Sequence, residues 1–309
     1  MNVLSKWFVN PILVLLAAAF FNPQASAETP QEQILKSLGC EKALIINGDD
    51  LGRSEYSNEG ILKAFNEGIL TSTSLMVPSL AAEEAYRVVK ENPKMDVGVH
   101  FVLARDDVPG NLYGPLSPVG EVPSLVDEDG NFFTEIDTII RKGKKKEMEI
   151  ELEAQVKTAL ENGVDVTHLD CHKGFYHTYD PKSLKVTLML AEKYDLPIRW
   201  QGQPGDGILA KAGIVVPDRL TGIKMDMPHE EKMEQLFAII DELKPGITEI
   251  VMHPASGGYT DEEAGWRKSE LAAVLSPELK KRIEDNGICL IGYRALRDFQ
   301  RELRKKNKK

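Results

Sequence analysis

Ala43-Leu-Ile-Ile-Asn-Gly-Asp-Asp-Leu-Gly52 is the stretch on which the reading of this chain turns. Four apolar residues end abruptly in polar ones. That is the pattern of a buried strand delivering two adjacent carboxylates, Asp49 and Asp50, to the mouth of an α/β sheet or barrel. The competing reading makes Asn47 to Gly52 an ordinary polar turn, since Asn, Asp and Gly are all turn formers. Successive side chains of a strand point to opposite faces, so both acids reach one site only if regular strand geometry ends there, which Gly48 and Gly52 permit.

The choice between the two readings comes from the flanking sequence. Upstream, Lys6, the apolar run Pro11 to Phe21 and the small residues Ala25-Ser26-Ala27 have the layout of a secretory signal over residues 1–27, with an uncleaved anchor as the alternative. The run is short for a membrane span, so an exported chain, periplasmic or secreted, with no stable span after processing is expected. Downstream, a helix over Ser54 to Glu67, a strand over Thr71 to Val77, a helix capped by Ser79 and a strand over Asp96 to Val102 follow in turn. This alternation points to a parallel sheet with crossover helices. From 104 to 143 Pro, Gly and Asp crowd together, which predicts a long loop insertion acting as a wall or lid, or else a plain surface insertion. Beyond it come a helix over Glu147 to Glu161, a strand over Asp165 to Asp170 and a helix opened by Asp180-Pro181. A short strand over Leu196 to Trp200, a helix over Pro228 to Leu243, a strand over Thr248 to His253 and a last strand over Ile288 to Gly292 complete the pattern. Residues 28–309 read as one domain, without a linker or repeat to divide them.

The chain has 309 residues and a formal net charge of −10, a balance that excludes nucleic acid as the expected partner because neutralising phosphates takes clustered Lys and Arg. The basic runs Lys142 to Lys146 and Arg304 to Lys309 read as solvated surface and tail. Three cysteines are too few for a disulfide framework or a cysteine zinc site. Cys40 before the first strand and Cys289 in the last one become neighbours if the barrel closes, and their pairing is a hypothesis.

The chemistry lies in what the strands carry at their ends. A hydrolytic divalent metal site needs about three imidazole or carboxylate ligands and an open position. Asp50, His100 and His172 supply one carboxylate and two imidazoles from three strand ends, a set suited to Zn²⁺ and other first-row ions. Of six histidines, five (His100, His168, His172, His177 and His253) fall in or just after predicted strands. Taken singly each has an ordinary structural explanation; their joint placement carries the inference. Asp49 is placed to accept a proton, His253 to protonate a departing amine, and Arg199 to orient Asp49 or the substrate. Phe175, Tyr176 and Tyr179 are either stacking platforms for a sugar ring or core.

Asn47-Gly-Asp-Asp-Leu-Gly52 resembles the Asn-Ala-Asp-Asp-Phe-Gly opening of the YdjC-like carbohydrate deacetylases, which include the chitooligosaccharide deacetylases. Gly68-Ile-Leu-Thr-Ser-Thr-Ser-Leu-Met-Val77, Val97-Gly-Val-His100, Val122-Pro-Ser-Leu-Val-Asp-Glu-Asp-Gly130, Thr167-His-Leu-Asp-Cys-His172 and Glu249-Ile-Val-Met-His-Pro254 are similar to further blocks of that family in the same order. The resemblance implies a distorted (β/α) barrel of mostly parallel strands and a metal-dependent hydrolase that removes acetyl groups from N-acetylated sugars or oligosaccharides. It further implies one divalent ion, Zn or Mg, on Asp50, His100 and His172, with Asp49 as general base and His253 as acid; Arg199 and Glu249 carry over less directly. Related enzymes are often dimers, so a homodimer is a further expectation. Gly174 stands where the family commonly has a second histidine, and Ala255 where it has glycine, departures that bear on the substrate pocket. An esterase or amidase acting on a non-sugar substrate, and a non-catalytic carbohydrate-binding relative, are the alternatives.

Overall fold

The computed structural model describes residues 28–108, 110–178, 180–201 and 207–307. The expected signal segment and Tyr179 lie outside them. Seven parallel strands form one sheet: β1 (Lys42–Leu51), β2 (Ser72–Leu75), β3 (Val97–Phe101), β4 (Val166–Cys171), β5 (Arg219–Gly222), β6 (Gly246–Met252) and β7 (Ile288–Leu290). Their order is β4-β3-β2-β1-β6-β5. One edge of β1 is shared, with β7 pairing Lys42 to Leu44 and β2 pairing Asn47 to Leu51. The sheet curls without closing among the described residues, so the distorted barrel is an open half-barrel with β4 and β5 at its two edges.

The central strand explains the uninterrupted apolar run at 43–46. Leu44 and Ile46 pack into the larger core, while Ala43 and Ile45 face a second cluster with Ile34, Leu35, Ile247, Tyr293 and Leu296. A strand covered on both faces needs apolar residues at every position, as parallel sheets with crossover helices require. The N-terminal helix α1 (Pro30–Leu38), fixed by a Thr29 and Glu32 capping box, lies over that second face. Helix α2 (Glu55–Glu67) starts at Ser54, whose hydroxyl accepts the Ser57 N–H, and ends at Gly68 as expected. Gly60 on α2 lets the helix press on the turn after β6, where a Cβ would stand 2.3 Å from the Ala255 Cα.

Several local expectations are corrected. Ser79 does not cap helix α3 (Ala82–Glu91); its hydroxyl lies against the carbonyls of Gly52 and Met76 instead. The insertion is not loop throughout, since its end forms helix α4 (Ile136–Lys142), and Val122, Leu125 and Phe132 bury themselves in the main core. Leu196 to Trp200 makes a single parallel bridge, Ile198 to Leu169, rather than a strand. The remaining helices are α5 (Lys145–Glu161), α6 (Phe175–Thr178), α7 (Pro181–Tyr194), α8 (Gly207–Ala212), α9 (His229–Glu242), α10 (Asp261–Val274), α11 (Pro277–Asp285) and α12 (Tyr293–Asn307). Cys40 and Cys289 are neighbours, yet all three thiols are free; burial first, then the hydrogen bond to Cys289, pushes the Cys40 thiol up. Among the described residues no helix is long and apolar enough to cross a membrane.

Candidate metal and acid-base site

The irregularity at the end of β1 falls on an aspartate, not a glycine. Asp50 adopts φ +75°, and the pairing with β2 shifts register between Gly48 and Leu51. Left-handed backbone costs an L-residue on the order of 1 kcal/mol, and Asp is among the residues that tolerate it. The consequence is that Asp49 and Asp50 both line one cavity of about 470 Å³ at the C-terminal end of the sheet.

Asp50 Oδ1 lies 3.6 Å from His100 Nε2, on β3, and 3.5 Å from His172 Nδ1, just past β4. The three ligand atoms all fall within 4.8 Å of one another. Each ring is anchored through its other nitrogen: His100 Nδ1 to Asp170 Oδ1 at 2.7 Å, and His172 Nε2 to Asp106 Oδ1 at 2.9 Å. Carboxylate partners of this kind fix tautomer and ring orientation at metal sites. Asp50 Oδ2 accepts from Arg267 at 2.7 Å, whereas the buried Oδ1 accepts no hydrogen bond. A buried carboxylate oxygen left unpaired between two imidazole nitrogens is costly, and a cation there would relieve that cost. One oxygen and two nitrogen donors fit a divalent ion.

A second close set, Asp49, His100 and Asp170, is occupied differently. Arg199 grips Asp49 with two bonds of 2.7 and 2.6 Å, reaches Asp170 at 2.9 Å, and donates from Nε to Glu249 at 2.8 Å. Asn47 adds a 2.7 Å bond to Asp49 Oδ1. Burial alone would push the Asp49 carboxyl up, but Arg199 and His100 outweigh it and hold the group below its ordinary value. Glu249 goes the other way, pushed up to about 7 because burial outweighs Arg199. Burial also works against the charged form of His172, but Asp106 and Asp50 raise it to about 9.

His253 follows β6 and leaves its side chain 22% exposed on the cavity wall. Glu270 Oε2 accepts its backbone N–H at 2.5 Å and lies 3.8 Å from its Nδ1. Burial opposes the imidazolium, but Glu270 and Asp50 prevail and its pKa is raised.

The structure therefore brings Asp49, Asp50, His100, His172, Arg199 and His253 around one cavity. Of the three aromatics read as stacking platform or core, Phe175 and Tyr176 are core, with the Tyr176 hydroxyl donating to the carbonyls of Leu169 and Arg199, and Tyr179 lies outside the described residues. His168 is buried and stacked on Tyr293 at 3.8 Å, with burial lowering its pKa to about 3. The His177 side chain is not among those described. Gly174 borders the cavity, and a Cβ there would meet nothing within 4 Å, so the departure at this position leaves open space beside His172.

The sequence reading passed over Asp106, Arg53 and Arg267. Arg53 joins Asp106 and Glu263, both at 2.6 Å, and Arg267 joins Asp50 and Glu263. Together with Arg199 they balance the buried carboxylates. Asp106 was hidden among the turn formers of the insertion, and Arg267 by its ordinary helical spacing from Glu263. Arg53, three residues from Asp50, was the one whose position offered a signal.

Fold and site together define a class: a curled parallel α/β sheet holding an Asp/His/His cluster and an arginine-anchored aspartate at its strand ends. The chain matches the family described as YdjC-like protein over residues 43–285. It is 33% identical to a carbohydrate deacetylase of Geobacillus stearothermophilus, covering 81% of this chain and 96% of that one. A carbohydrate deacetylase of Thermoanaerobacter pseudethanolicus is 32% identical over 83% of this chain and all of that one. The solved structure of a putative cellobiose-phosphate cleavage protein from Enterococcus faecalis superposes with TM-score 0.72 at 29% identity, covering 83% of this chain and 99% of that one. The chain belongs to the YdjC-like family.

Proposed function

We propose that this protein is a metal-dependent carbohydrate N-deacetylase. The observation that carries the reading is the convergence of Asp50 Oδ1, His100 Nε2 and His172 Nδ1 beside the arginine-held Asp49. The names of its relatives support a sugar as substrate.

Asp50, His100 and His172 would hold the ion, which when bound supplies the Lewis acidity that acidifies water and polarises an acetamide carbonyl. Asp49 accepts the proton of the attacking water, and Arg199 keeps its carboxylate ionised and aimed. The water oxygen adds to the amide carbonyl carbon, and the carbon–nitrogen bond breaks from the resulting tetrahedral adduct. His253 gives its proton to the departing nitrogen, so acetate and a free amino sugar leave. Residues 28–309 act as one catalytic domain in this reading, exported by the signal-like segment 1–27.

The test is acetate release from a panel of N-acetylated oligosaccharides by metal-stripped protein, with Zn²⁺, Mg²⁺, Mn²⁺ or Co²⁺ added back. Release that depends on the added ion is expected. Release from O-acetyl esters only would overturn the amide reading.

A further inference from the structure

A second cavity of about 450 Å³ lies beside the first and shares Arg53 with it. Both volumes fall within the size range of small-ligand pockets. The partition between them is the buried Arg53. Arg53 is held by Asp106 and Glu263, its guanidinium lies 4.6 Å from the Tyr259 ring centre, and the Tyr259 hydroxyl donates to the Arg53 carbonyl at 2.8 Å.

On the far side of this partition the walls differ in kind from those of the catalytic cavity. Tyr56, in the first turn of α2, rests on the backbone of Gly257, where a Cβ would come within 2.7 Å of its ring. Its position is thus set from one side, yet it remains 47% exposed, and Leu80 nearby is 58% exposed. Glu83 and Arg87 stand one turn apart on α3 and make no ion pair among the described residues. A supported aromatic ring, an aliphatic side chain and free hydrogen-bonding groups of both signs suit a pyranose, which is apolar across its ring face and polar at its rim.

We infer that this groove is a second saccharide subsite, taking sugar units that continue from the one in the catalytic cavity, so that the enzyme prefers oligosaccharides longer than a disaccharide. The inference rests on the reading of the neighbouring site as one that acts on sugars. Tyr56 supplies the stacking face, and Glu83 and Arg87 the hydroxyl contacts.

The experiment compares kcat/KM for an N-acetylated disaccharide and the matching pentasaccharide in wild-type, Tyr56→Ala and Tyr56→Phe proteins. Wild type should favour the pentasaccharide through KM. Tyr56→Ala should lower the pentasaccharide-to-disaccharide ratio about tenfold, the factor matching the loss of roughly 1.4 kcal/mol of stacking. Tyr56→Phe should keep most of the ratio. An equal loss on both substrates, an unchanged ratio in Tyr56→Ala, or a wild-type enzyme indifferent to chain length would overturn the subsite. If no saccharide releases acetate, the deacetylase reading fails, and titration of the pentasaccharide against wild type and Tyr56→Ala still decides the groove. About tenfold weaker binding by the variant supports it; equal affinity, or no binding to wild type, overturns it.

Discussion

The two ends of the sheet both cluster charge, but they treat it differently. At the N-terminal ends of β3 and β4, Asp96 accepts from the Thr167 hydroxyl and from the Arg294 backbone N–H at 2.6 Å, while Arg294 and Arg297 converge on Asp165. Neither carboxylate leaves an oxygen buried without a partner. At the C-terminal ends, Asp50 Oδ1 faces two imidazole nitrogens with no hydrogen bond to either, although Arg267 satisfies the other oxygen of the same group. The first arrangement closes on itself and does structural work. The second leaves a buried oxygen that a cation would satisfy, so the contrast sets a cluster that closes on itself against one that leaves a donor atom open.

The contrast breaks most sharply at Asp50. Asp50→Asn should lose both the bound divalent ion, measured by elemental analysis, and acetate release, whereas Asp49→Asn should keep the ion and lose about 10²–10⁴-fold in kcat. Loss of metal from the Asp49 variant would mean that the two aspartates have exchanged roles. His253→Asn should reduce kcat by about 10²-fold or more and remove the basic limb of the pH profile. The sign follows from the raised pKa of His253: its proton is available below that pKa, so activity falls as pH rises through it. Asp170→Asn and Asp106→Asn, which release the anchored nitrogens of His100 and His172, should weaken metal affinity by about 10–100-fold in a chelator competition.

The smallest effect on activity belongs to the other end of the sheet. Asp96→Asn should leave turnover per folded molecule unchanged and alter only stability and its pH dependence. Burial raises the Asp96 carboxyl to about 6 despite Thr167 and Arg294. Its contribution is therefore fully present below the ordinary carboxylate value and lost as pH rises through about 6. Denaturation at pH 4 and pH 7 should show the variant gaining up to ~3 kcal/mol on wild type over that interval. A constant difference would mean that Asp96 stays ionised throughout.

Much of this was legible in the residues alone. The alternation of apolar runs with amphipathic helices specified a parallel sheet, because a strand covered on both faces must be apolar at every position and a crossover must bring the chain back. The same patterning located Asp49, Asp50, His100, His172 and His253 at strand ends, since a polar side chain breaking an apolar run marks where the strand leaves the core. It was less informative where partners are remote. Asp106 and Arg267 looked like turn and surface residues, and Leu196 to Trp200 looked like a strand although it makes a single bridge.

Fold class and candidate donor residues can be read along the chain, because hydrophobic periodicity and residue chemistry are local properties. Folding alone fixes how both aspartates face one cavity, through a left-handed Asp50 that Arg267 holds from 217 positions away. It also decided which nitrogen of each histidine points at the centre, and that a second groove adjoins the first across Arg53. Those outcomes depend on carboxylates and guanidinium groups meeting across long stretches of chain, and no spacing within a segment encodes such a meeting.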